Sequence, residues 1–316
     1  MSRHAWTAED VPDQRGRTAV ITGANTGIGF EAARILARRG ATVVLACRTP
    51  AKAADAAHRI RAAAPDANVT TLRLDVASLA SVREAAEELR AANRPIDLLI
   101  NNAGTYGATE RAVTEDGLEA TFATNHAGVF AFTGLVLDLM LQVPGSRVVT
   151  VSSLAHRRGD LDFDDLQSQR KYTRDSAYAG SKLANLMFTY ELQRRLSASG
   201  AHTVSLAAHP GVARTDFVRD FNPVLRFLSG PRARMLTGWM MHDPAAGALG
   251  MVRAAVDPRA RGGEYYGPPP ARAQLTGRPV RVESSAESHD VTAQGRLWRE
   301  SERLTGVSYP LAQLRS

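Results

Sequence analysis

Cysteine is almost missing from this sequence. Cys47 stands alone among 316 residues, so one chain can build neither a disulfide framework nor a thiolate metal cluster. No metal site is expected, and a reducing, cytoplasmic setting is. Continuous apolar runs of 18 residues are not apparent, which argues against a membrane span. The stretch from Met1 to Arg17 carries charges and Pro12 but no hydrophobic centre of the kind a secretory signal needs. Lysine is scarce as well: of 39 basic residues only Lys52, Lys171 and Lys182 are lysines. The net charge of +7 is carried by arginines interleaved with Asp and Glu. They form no dense basic run, so a nucleic-acid partner is not expected.

What is present is a regular alternation. Thr18 to Thr22, Thr42 to Ala46, Val69 to Leu74, Asp97 to Ile100, Arg147 to Val151 and Thr203 to Ala207 are short β-branched runs, nearly continuous in apolar character. Strands buried on both faces need that composition. Between them Glu31 to Arg39, Ala51 to Ala63, Leu79 to Ala91, Leu118 to Leu141 and Ser176 to Ser199 have helical patterns. Strict alternation implies right-handed βαβ units and an α/β fold: a doubly wound parallel sheet, Rossmann-type, with helices on both faces and ligand at the carboxyl ends of the strands. The expected organisation is an extension over 1–15, one dinucleotide-binding and catalytic domain over 16–267, and a loop with a final helix over 268–316.

After the first strand comes Thr22-Gly23-Ala24-Asn25-Thr26-Gly27-Ile28-Gly29. Glycines there let the backbone turn tightly against a pyrophosphate, and a following helix presents free N–H groups and a partial positive charge. The second strand ends at Arg48, where an NAD-selective protein places an acidic residue against the ribose. A guanidinium can pair instead with a 2′-phosphate, so NADP(H) is favoured over NAD(H), with Lys52 in support; the other reading is one more solvated arginine. Asp75 and Asn101-Asn102-Ala103-Gly104 fall on the same ligand edge, where each can equally be a turn former.

Tyr178 and Lys182 lie four apart in a helix, one turn apart on one face. An adjacent ammonium would favour the phenolate and draw it toward neutrality, making a general acid/base. Ser153, ahead of Ser152, can hold a substrate oxygen beside it. Asn125 is out of place in an apolar helix; a buried amide holding water would explain it, and so would simple exposure.

In this order the motifs resemble the classical short-chain dehydrogenase/reductases, through Thr22-Gly23-x3-Gly27-Ile28-Gly29, Asp75, Asn101 to Gly104, Asn125, Ser153, Tyr178-x3-Lys182 and His209-Pro210-Gly211. Val151 to His156 and Ser181 to Asn185 look more narrowly like the retinol dehydrogenase and WW-domain oxidoreductase branch. The resemblance implies Tyr178 as general acid/base, Ser153 as carbonyl orienter, Lys182 as pKa modulator and nicotinamide-ribose ligand, and Asn125 as holder of a relay water. It further implies Thr22 to Gly29 around the pyrophosphate, Asp75 at the adenine, and Pro210, Gly211, Val212 and Thr215 beside the nicotinamide; Val76, Asn102, Ala103 and Gly104 are further cofactor-binding candidates, with Asn101 and Gly104 shaping the loop around the ribose. The 24 residues between Ser153 and Tyr178 are about twice the usual family spacing and would reshape the substrate mouth.

Phe217 to Met241 is rich in aromatic and methionine side chains and reads as a lid over a lipophilic carbonyl or alcohol, or equally as helix packing or a dimer contact. The resemblance implies dimers or tetramers through the long fourth and fifth helices. The leading reading is therefore an oxidoreductase; the alternatives are an NADP(H)-binding sensor or scaffold without turnover, and a nucleotide-sugar epimerase or dehydratase on the same fold.

Overall fold

A computed structural model describes residues 5–211, 243–270 and 275–311. The strands are β1 (Thr18–Thr22), β2 (Thr42–Cys47), β3 (Val69–Arg73), β4 (Leu98–Asn101), β5 (Arg147–Val151), β6 (Val204–Ala208), β7 (Tyr265–Gly267) and β8 (Val280–Val282). They form one sheet in the order β3-β2-β1-β4-β5-β6-β7-β8. β1 to β7 run parallel, and β8 returns antiparallel to β7. β4 is buried at every position and β1, β2, β5 and β6 at all but the first, which is why the runs read as continuously apolar.

Helices cover both faces. α1 (Gly27–Arg38), α2 (Pro50–Ala63) and α7 (Pro244–Val256) pack into one core layer. α3 (Leu79–Ala91), α5 (Gly128–Val136), α6 (Arg174–Ser199) and α8 (Val291–Thr305) contribute to the other. The winding direction reverses between β1 and β4, which opens a crevice at the carboxyl ends of those strands.

The expected helix from Leu118 to Leu141 is broken. α4 (Ala120–Phe122) passes into a π-helical turn, Ala123–Ala127, then into α5, then into a 3₁₀ turn, Leu137–Leu139. Asn125 lies in the π turn, and its amide is bound to the backbone of Thr105 across the gap. A side chain committed sideways is a reason for the helix to widen there, and such turns gather at functional positions. The segment Ala120–Leu139 also corrects the expectation of no span-length apolar stretch: its mean hydropathy is 1.2, and 83% of the window is buried inside the subunit. It is a core helix.

The ends of the chain belong to the same body. Trp6 and Val11 are buried with α1 and α7, and Arg39 donates to the carbonyls of Ala8 and Glu9. At the other end, Trp298 in α8 is buried with its ring 5.1 Å from Phe130 and 4.5 Å from Tyr309, while the Tyr309 hydroxyl donates to the Phe130 carbonyl at 2.7 Å. α8 thus packs against α5 and α6, within the fourth and fifth expected helices. The region 268–316 is more than a loop and a helix, because β8 extends the sheet.

If α8 is part of the core, Trp298→Ala should cost about 3–5 kcal/mol of unfolding free energy, read from denaturant midpoints. A loss below about 1 kcal/mol would mean that the carboxyl-terminal helix is a loose appendage.

Candidate active site

At the carboxyl edge of the sheet lies a cleft of about 830 Å³. One end is built from the turn between β1 and α1. Gly23 and Gly27 have φ of +65° and +60°, a left-handed backbone that favours glycine. A Cβ on Gly29 would lie 2.4 Å from the Asn102 amide nitrogen and 2.6 Å from the Gly23 carbonyl oxygen, so no side chain fits. Asn25, Thr26 and Ile28 line the cleft with these glycines, and α1 begins there, at Gly27, where the first amides of a helix have no intrahelical partners.

Thr22 serves the turn from behind. Its hydroxyl accepts from the amides of Asn102 and Ala103 at 3.0 and 2.9 Å, and the Asn102 side chain donates to the Thr22 carbonyl at 2.9 Å. β1 and β4 are clasped where the winding reverses. Asn102, Ala103 and Gly104 line the cleft; Asn101 does not, because its amide donates to Thr133 on α5. The buried carbonyl oxygen of the Asn102 side chain is without a partner in the fold. A glycine cradle, free helix amides and an open acceptor fit a dinucleotide.

Arg48 and Lys52 stand at the rim. The Arg48 side chain is 76% exposed, with its Nε 3.9 Å from the Asp75 carboxylate, a loose pair in water. Asp75 also accepts from the Ala77 amide at 3.0 Å, so it shapes the turn as well as lining the cleft beside Val76.

The other end of the cleft holds Ser153, Tyr178 and Lys182. Thr173 starts α6 with a reciprocal capping box to Ser176, which sets Tyr178 in the second turn. The Ser152 hydroxyl donates to the Lys182 carbonyl at 2.8 Å, tying β5 to α6. In return Lys182 Nζ and Asn185 Nδ2 donate to the Val151 carbonyl at 3.1 and 3.2 Å. Ser153 lies beside the Tyr178 phenol, where its hydroxyl favours the phenolate. Tyr178 and Lys182 are both buried, with Nζ 5.8 Å from the phenol ring centre.

The electrostatics correct one expectation. Burial pushes the Tyr178 phenol up to about 12, against a smaller lowering by Ser153; the ammonium does not draw it toward neutrality. Burial also pulls Lys182 down to about 8. In the folded chain the phenol is therefore a proton donor at neutral pH.

Asn125 is wholly buried and lies behind the cleft wall. Its carbonyl oxygen accepts from the Thr105 amide at 2.7 Å, and its amide donates to the Thr105 carbonyl and the Ser181 hydroxyl at 2.8 and 2.9 Å. Both donors are committed, so the amide is not poised to hold a water by donation; it fastens the chain after β4 to the π turn and α6. Gly104 leaves room for this approach, since a Cβ there would lie 3.1 Å from Asn125 Oδ1 and 3.3 Å from Lys182 Nζ.

Pro210 and Gly211 line the cleft; Val212, Thr215 and the expected lid over 217–242 lie outside the described residues. Sequence reasoning missed Tyr106, Thr124, Leu154, Arg158 and Asp175, all in the wall near Tyr178. Tyr106 stacks edge-on to Tyr178 at 5.0 Å and bonds Asp175. Asp175 was within reach of the pattern, being three residues ahead of Tyr178 on one helix face; Tyr106 had no such signal.

Comparison with known proteins adds three kinds of likeness. A family model described as short chain dehydrogenase matches residues 17–225. Retinol dehydrogenase 13 of Homo sapiens is 40% identical over 93% of this chain and 86% of its own length. Polyprenol dehydrogenase of Mus musculus is 39% identical over 94% and 86%. Among solved structures, an uncharacterized protein from Mycobacterium Paratuberculosis superposes with a TM-score of 0.79 at 38% identity, over 97% of this chain and 99% of that one. A blue fluorescent protein from a metagenomic library, in complex with NADPH, gives a TM-score of 0.60 at 26% identity, over 80% and 96%.

The lowered lysine makes stability depend on pH. Between about 8 and the ordinary value of 10.5 the unfolded chain binds more protons at this site than the folded one, so stability rises with pH across that window. Below it the burial cost is constant. Lys182→Met should flatten the rise relative to the unchanged protein, measured by denaturant unfolding across this range; parallel slopes in both proteins would contradict the buried ammonium.

Proposed function

The chain belongs to the short-chain dehydrogenase family, and we propose that it is an NADP(H)-dependent enzyme interconverting a lipophilic aldehyde or ketone and its alcohol, with Tyr178 as general acid/base. The observation that carries this reading is that one cleft is lined by the glycine turn at one end and by Ser153, Tyr178 and Lys182 at the other.

Gly23 to Gly29 and the amides of α1 would hold the pyrophosphate, and Asn102 to Gly104 with Lys182 the nicotinamide-side ribose. Arg48 and Lys52 would meet a 2′-phosphate, which supports NADP(H) over NAD(H); the NADPH complex of a structural relative is in keeping. The bound nicotinamide gives or takes the hydride. Everything else falls to the chain: Ser153 orients the carbonyl oxygen, and Tyr178 delivers a proton to that oxygen as it gains charge. A phenol held up near 12 suits the donor role in carbonyl reduction. Lys182 completes the path by which the phenol is reprotonated, and Asn125 is a positioning residue for that end of the cleft.

For the substrate, the wall of Tyr106, Ala108, Leu154 and Ala155 beside Tyr178 offers apolar contact, with Arg158 and Asp175 toward the rim. Relatives named for retinol and polyprenol, both lipophilic alcohols, point the same way. A panel of aldehydes, ketones and alcohols followed at the nicotinamide absorbance with both cofactors would find the class.

Against the best substrate of that panel, Tyr178→Phe should lower kcat by about a hundred- to ten-thousandfold while NADPH affinity stays within about threefold, because only the proton donor is removed. Full turnover in this variant would remove the mechanism. Arg48→Asp should weaken NADPH by about tenfold or more and leave NADH little changed; equal losses for the two cofactors would show that Arg48 does not read the phosphate.

A further inference from the structure

His156 is completely buried, in the short 3₁₀ turn Leu154–Arg158 that follows Ser153. Its Nδ1 lies 2.6 Å from the Ser153 carbonyl oxygen. Its Nε2 lies 3.1 Å from the backbone amide of Ser285, 129 residues away. A carbonyl can only accept and an amide N–H can only donate, so the proton must be on Nδ1 and the lone pair on Nε2. Both nitrogens are then satisfied, and one tautomer is selected by geometry alone. The His156 amide also donates to the same Ser153 carbonyl at 3.1 Å, so that carbonyl is held twice by one residue.

The far anchor is itself held. Ser285 lies just beyond β8, and Arg157 donates to the Glu283 carbonyl at 2.7 Å, so adjacent residues of the turn grip the same segment. The ring packs edge-on to Tyr265 of β7 at 5.7 Å. Burial depresses the ring's basicity, in line with a neutral imidazole.

We propose that His156 is a positioning residue for the reaction: its neutral Nδ1–H form fixes the Ser153 backbone, and through it the Ser153 hydroxyl that meets Tyr178 and the substrate oxygen. This rests on Ser153 being the carbonyl orienter, as proposed above. The Ser285 amide selects the tautomer, and the bond from Nδ1 to the Ser153 carbonyl does the positioning. Displacing a positioned group by a fraction of its bond length is enough to slow the step it serves.

Two substitutions separate this role from mere packing. His156→Asn places an amide nitrogen near the position of Nδ1, so the bond to Ser153 can be kept and the bond to Ser285 is lost. His156→Gln places its polar atoms near Nε2, so the reverse holds. Both leave some unfilled space, and thermal midpoints report that shared cost. With NADPH and the best carbonyl from the panel, His156→Gln should lower kcat by about tenfold to a hundredfold, and His156→Asn by less than about threefold. The KM for NADPH should hardly move in either. Equal kcat in the two variants would overturn the proposal.

Ser153→Ala in the same assay tests the underlying reading: if it turns over normally, Ser153 is not the orienter. If it is impaired while the two His156 variants match, only the His156 role fails. A measurement on the unchanged protein needs no turnover: nitrogen-15 NMR of the imidazoles, with His156 assigned through bonds from its backbone resonances, should show the proton on Nδ1. A proton on Nε2 would overturn the proposal even if neither variant folds.

Discussion

The site depends on one joint, at the end of β5. The Val151 carbonyl takes hydrogen bonds from Lys182 and Asn185, and the Ser152 hydroxyl returns one to the Lys182 carbonyl. These bonds are buried, where an unmade partner would cost more than a made one contributes, so the strand end and α6 cannot slide independently. Ser153 is the next residue on the strand side and Tyr178 is one turn earlier on the helix side. Their meeting is a consequence of that joint.

A second clasp, of Thr22 with Asn102 and Ala103, does for the nucleotide end what the first does for the chemical end. It lies where the winding of the sheet reverses, so the glycine turn and the β4 loop open toward the same crevice. Asn125 connects the two. Its amide binds Thr105, just after the β4 loop, and Ser181, beside Lys182. A polar group in a core helix, bound in three directions, widens the helix into a π turn and leaves the cleft with a rigid back wall. Burial then sets the chemistry by keeping the phenol protonated and by weakening the lysine's hold on its proton.

The sheet was legible because strands buried on both faces must be apolar throughout. β1 and β5 are bounded as their residue runs imply, and β2, β3, β4 and β6 differ only at their ends. The glycine turn and the Tyr178-to-Lys182 spacing were legible for the same reason: backbone approach and helix geometry leave few residue choices. α7 was missed because Pro244 to Val256 is so rich in alanine and glycine that it has no polar face to mark a helix. β8 was missed because three residues after a Gly- and Pro-rich stretch carry no period. The break in the long apolar helix was unreadable for a different reason, since its cause, the Thr105 backbone, is 20 residues from Asn125. Asn101 was placed on the right edge but faces the wrong way; alternation along a strand decides that, and a one-residue shift exchanges the faces.

The expectation of a phenol drawn toward neutrality weighed the ammonium alone. It left out the cost of a buried anion, which at Tyr178 is the larger effect. The central claim is that nucleotide and phenol share one site, and a crystal structure of the protein with NADPH tests it most directly. The account predicts the pyrophosphate against Gly23 to Gly29 and the nicotinamide ring in van der Waals contact with Tyr178. A nucleotide bound elsewhere, or a nicotinamide separated from that hydroxyl by bulk solvent, would contradict it.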